Sequence, residues 1–93
     1  MNKENAEQLS LHIVAVHAMV NDIVRFTKEN KGEKVFDNLT LHAGKIMAAL
    51  YLDIGDDLWK MYPEFKPEGI GGNYEITDEF YEKYLLPGAF SND

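Results

Sequence analysis

Leu9-Ser10-Leu11-His12-Ile13-Val14-Ala15-Val16-His17-Ala18-Met19-Val20-Asn21-Asp22-Ile23-Val24-Arg25-Phe26-Thr27 decides the fold. No glycine or proline interrupts it, and Leu9, Ile13, Val16, Val20, Ile23 and Thr27 step by four and three, a helical seam. Ala15, Met19 and Phe26 widen the stripe. The helix is expected over about Asn5–Lys31. Asn5 with Gln8 reads as a capping box, Gly32 as the residue closing the C-terminus, and Lys28 and Lys31 suit the negative end of the dipole.

A second helical pattern follows over about Glu33–Ile54, where Phe36, Leu39, Ala43, Ile46 and Leu50 repeat the same spacing. Gly44 inside it reads either as a point of close helix approach or as a tolerated interruption. The short connection predicts an antiparallel helical hairpin over 1–54. Gly55-Asp56-Asp57 marks a break or kink, and either aspartate can cap a short helix through Leu58, Trp59 and Met61. Tyr62-Pro63 ends that helix, because the residue before proline avoids the α region. Pro63, Pro67, Gly69, Gly71 and Gly72 predict an ordered loop over 63–75 whose glycines take positive φ, anchored by Phe65, Ile70 and Tyr74. Thr77 caps a last helix, Ile76 and Tyr81 form its hydrophobic staple, and Pro87-Gly88 stops it after Leu86. The reading is all-α: one domain over 1–93, a hairpin plus short C-terminal helices.

Charge is divided unevenly. Residues 1–52 hold six acids and six bases, whereas 53–93 hold ten acids and three bases, so the net charge of −7 lies wholly in the second part. Eight of the eleven aromatics lie there too. A chain this acidic lacks the cationic footprint of a nucleic-acid binder or of an anionic-membrane binder. There is no cysteine, which removes disulfides, thiol catalysis and thiolate metal sites. The N-terminus shows no apolar export segment, and the longest near-apolar run, Ile13–Val20, falls short of the about 20 residues that span a bilayer. The expected location is the cytoplasm.

The residues with chemical potential do not assemble into a motif. His12 and His17 are five apart and point to different sides of a helix. A hairpin turning near Gly32 sets Asp22 opposite His42, readable as an acid/base pair or as a polar contact fixing register. Asp53 and Asp57 share a face if the helix runs through Gly55, but capping accounts for them without a metal. The glycines at 69–72 lack the lysine and Ser/Thr of a phosphate loop. No catalytic residue, cofactor or metal site is assigned.

Two partner classes fit. Trp59, Tyr62, Phe65, Tyr74, Tyr81 and Tyr84, rimmed by Asp56, Asp57, Glu64, Glu79 and Glu82, suit a protein partner with a basic surface. In size, acidity and helical content the chain resembles small phage- or plasmid-borne inhibitors and immunity proteins. The expected function is therefore a non-enzymatic inhibitor or adaptor that occludes a basic, nucleic-acid-binding surface. The alternative is a helical oligomer that sequesters a small ligand such as a nucleotide, its phosphates meeting Lys28, Lys31, Lys34 or Lys45. The first helix is apolar around much of its circumference, which predicts a homo-oligomeric helical bundle, most simply a dimer.

Overall fold

The computed structural model describes residues 1–29 and 33–83, and among them the fold is all-α with no strand. The expectations on Lys31, Gly32, Tyr84, Leu86 and Pro87-Gly88 lie outside the described residues. Helix α1 runs Lys3–Glu29 and α2 Glu33–Ala48. A π-helical stretch, Ala49–Gly55, carries α2 directly into α3, Asp56–Met61. Two 3-10 turns, Pro63–Phe65 and Glu68–Ile70, lead to α4, Asp78–Glu82.

α1 begins earlier than its sequence suggests. Asn2 Oδ1 accepts from the Asn5 amide at 2.8 Å, so Asn2 is the cap and Asn5 already lies within the first turn. At the other break the helix does not stop. Gly55 and Asp56 are both right-handed helical and no side chain caps α3. The chain absorbs the expected kink by widening into the π stretch instead. Tyr62 does end α3, at φ −132°, with Pro63 behind it. Thr77 does cap α4, accepting from the Phe80 amide at 3.3 Å. In the loop, Gly71 alone among the described glycines takes a left-handed conformation, at φ 96°. Gly44 meets nothing within 4 Å of where a Cβ would stand, so it is a tolerated interruption and no helix approaches it.

The core forms where α3 and the 3-10 turns fold back over the first half of α1. Ala6, Ile13, Leu58 and Trp59 are buried together, with Leu50, Tyr51, Tyr62, Phe65 and Ile70 packed against them. A polar relay runs through it. The Trp59 indole Nε1 donates to Ser10 Oγ at 2.9 Å, and Ser10 Oγ donates to the Phe65 carbonyl at 3.0 Å. Ser10 is 3 % exposed, so one small hydroxyl satisfies groups from two other elements. The same tightness explains Gly55, where a Cβ would overlap the Trp59 ring.

This packing selects which side of α1 is inside. Ala6, Ser10, Ile13, Val14 and Ala15 are buried, whereas the seam residues Leu9, Val16, Met19, Ile23 and Phe26 stay 37–46 % exposed. α2 packs on α1 but covers little of that side, and Ile46 and Ile54 are exposed as well. By length and composition α1 is also long and apolar enough to cross a bilayer, with mean hydropathy 1.3 over an 18-residue window. Such a window averages over His17, which interrupts the run counted in the sequence.

Candidate functional site

The aromatic residues singled out in the sequence, taken together with Phe80, divide into three groups. Trp59 is 5 % exposed and gives a partner nothing to touch. Tyr62, Phe65 and Tyr74 are half-buried, and the two tyrosine hydroxyls are engaged: Tyr62 donates to the Met1 carbonyl just ahead of α1 and Tyr74 to Glu7 Oε2 on it, both at 2.6 Å. The Glu7 hydrogen bond, ahead of burial, pushes the Tyr74 phenol up to about 12. Phe65 packs edge-on to Tyr74, with centroids 5.9 Å apart. These rings therefore cover α1 before they offer anything to a partner. Phe80 and Tyr81 form the third group, an edge-to-face pair 6.0 Å apart on α4, half-buried beside the exposed Asp78, Glu79 and Glu82. Tyr84 lies outside the described residues.

The carboxylates stay outside. Between residues 53 and 82 there are nine, and two of them make ion pairs: Asp56 with Lys60 at 2.9 Å and Glu64 with Lys3 at 3.3 Å. Asp53, Asp57, Glu68, Glu75, Asp78, Glu79 and Glu82 are exposed and form no ion pair among the described residues. No group of three or more metal-ligating side chains comes together among the described residues, and Asp53 and Asp57 are not joined by a third.

Between α1 and the returning chain lies an open cleft of about 610 Å³. α1 supplies Val14, His17, Ala18, Asn21, Asp22 and Arg25. The opposite side is Tyr51, the loop 67–70, and Ile76, Asp78 and Tyr81 around the start of α4. The staple expected between Ile76 and Tyr81 thus lines this cleft. His17 and Tyr51 stack face to face, 4.1 Å apart and 3° from parallel, and burial lowers the His17 pKa from its ordinary value. Burial pushes the Tyr51 and Tyr81 phenols up.

Asp22 does not serve a dyad with His42. It is 4 % exposed and accepts from Arg25 Nε at 2.7 Å, while His42 stands exposed on α2. Arg25 Nη1 donates to Glu29 at 2.7 Å, and Arg25 Nη2 is buried without a hydrogen-bond partner among the described residues. Spacing of three and four along α1 was the signal for this cluster. Nothing in the sequence marked the cleft itself, because it needs the 67–81 segment laid against α1. No family model matches the chain, and no curated protein or solved structure matches it.

Proposed function

We propose that this protein is a non-enzymatic interaction module, a small acidic inhibitor or adaptor acting in the cytoplasm on a protein with a basic surface. The observation that carries the reading is the set of seven exposed carboxylates in 53–82 that form no ion pair among the described residues. Such a field steers a cationic partner and contributes little to folding. The docking patch centres on α4, where the Phe80–Tyr81 pair stands among Asp78, Glu79 and Glu82. Trp59 is excluded from it by burial, and Tyr62, Phe65 and Tyr74 act as its support. α1 and α2 form an antiparallel hairpin whose exposed apolar residues Val16, Met19 and Ile23 pair with a second copy to make a bundle.

Capture from host lysate at about 0.15 M and 1 M salt tests the charge reading, since the Debye length falls to about 3 Å at the higher concentration. A partner is expected at low salt, released at high salt, and lost from a Glu79→Lys/Glu82→Lys variant that remains folded. Capture unchanged by either manoeuvre overturns it. Sedimentation of an Ile23→Glu variant reads the assembly separately. A wild-type chain that is already monomeric at high micromolar concentration removes the bundle.

A further inference from the structure

We propose that the cleft between α1 and residues 67–81 binds a small uncharged heteroaromatic molecule bearing a ring carbonyl, of the nucleobase or nucleoside class. The cleft shares Asp78 and Tyr81 with the acidic docking patch, but the inference does not rest on that reading and its test does not require a protein partner. Three observations carry it. The volume, about 610 Å³, lies within the about 300–1,000 Å³ of small-molecule sites. The walls combine apolar side chains (Val14, Ala18, Ile70, Ile76) with the stacked His17–Tyr51 pair and Tyr81, surfaces that suit a flat ring. The polar groups are few and convergent. Arg25 lines the cleft with its side chain 27 % exposed, and Nη1 keeps a second N–H beyond the one it gives Glu29, a donor that a ligand carbonyl can accept from. Asn21, on the preceding turn, offers both a donor and an acceptor to the neighbouring ring edge.

Charge decides against a phosphorylated ligand. Asp22, Glu68 and Asp78 line the cleft against Arg25 as the one strong cation among the described residues, and Arg25 already holds Asp22 and Glu29. The lysines to which the sequence reading assigned phosphates do not line it: Lys28, Lys34 and Lys45 are exposed elsewhere. The predicted preference is thus nucleoside over nucleotide, the reverse of ordinary phosphate-binding sites.

The test is an amide-resolved NMR titration of the full chain with inosine, adenosine and inosine monophosphate. Inosine is expected to shift Ala18, Asn21, Gly69 and Ile70 saturably at millimolar concentration or below. Adenosine, which lacks the ring carbonyl, should bind more weakly. The monophosphate should bind about tenfold more weakly at low salt, a gap that closes as salt screens the acidic rim. Arg25→Gln should lower inosine affinity about tenfold, the scale of one charge-assisted hydrogen bond. If that variant fails to fold because Asp22 loses its cation, Ala18→Leu fills the cleft without removing a hydrogen bond and should abolish the shifts. Absence of saturable shifts, shifts spread over α2, tighter binding of the monophosphate, or binding unaffected by Ala18→Leu would each overturn the proposal.

Discussion

Replacing Ser10 by alanine should be among the most damaging single-atom changes in this chain. The lost oxygen accepts from the Trp59 indole and donates to the Phe65 carbonyl, at 2.9 and 3.0 Å. Both partners then lose their bond together, in a place where Ser10 is 3 % and Trp59 5 % exposed. Each net hydrogen bond contributes about 1 kcal/mol, and a buried group left unpaired costs about 1–3 kcal/mol. The void left by one oxygen is too small for a water to replace it. Ser10→Ala should therefore destabilise the fold by about 2–4 kcal/mol, a large share of the about 5–15 kcal/mol typical of a domain. For a chain of this size, that lowers Tm by about 8–30 °C. Urea unfolding followed by fluorescence is the natural assay, because Trp59 is the only tryptophan and sits at the perturbed site. In a Trp59→Phe background the Ser10→Ala loss should shrink by about 1 kcal/mol, the coupling of the pair. A loss below about 0.5 kcal/mol, with the indole N–H resonance unmoved, would refute the claim that this relay holds α3 to α1.

Other changes test other links. Gly55→Ala should destabilise by about 1–3 kcal/mol, since the new methyl overlaps the Trp59 ring, whereas Gly44→Ala, in open space on α2, should stabilise by about 0.5–1 kcal/mol. Equal effects in urea unfolding would mean that the close packing at Gly55 is wrong. Burial lowers the His17 pKa, so the unfolded chain binds more protons just below pH 6.5; stability should hold above that pH and fall on acidification until the folded pKa is passed. An NMR-measured His17 pKa above the ordinary value would show instead that the stack on Tyr51 favours the cation. The Tyr74 phenol is raised to about 12, so its contribution is complete below about pH 10 and lost as pH climbs through 12. Ultraviolet titration should show one fewer tyrosine ionising near pH 10 than in Tyr74→Phe plus its own missing phenol, that is, the same count in both chains; a drop in the variant would place Tyr74 among the ordinary phenols.

Much of the helical architecture was legible because its signals are local. An uninterrupted 9–27 run, Tyr62 before Pro63, and Thr77 ahead of two acids need no distant partner to act. The inward side of α1 was not legible, because the helix is apolar on several sides and periodicity cannot choose among them. Small residues chose: Ala6 and Ser10 let the indole of Trp59 approach, and that contact turned Leu9, Val16 and Ile23 outward. The aromatic surplus after residue 58 was read as a partner surface for the same reason. How many rings a tail needs to cover its own neighbour depends on contacts far apart in the chain, such as Ser10 with Trp59, 49 residues apart, and Glu7 with Tyr74, 67 apart.

The widened coil at 49–55 makes this protein intolerant of miscounting. Its register sets where Tyr51 meets His17 and where Trp59 meets Ser10. Inserting one more residue there would swing everything beyond it by roughly 100°. The indole would then face water and the serine would face nothing. Length changes should be tolerated near the exposed Asn73, while the span from Leu50 to Trp59 behaves as a ruler whose spacing the rest of the molecule reads.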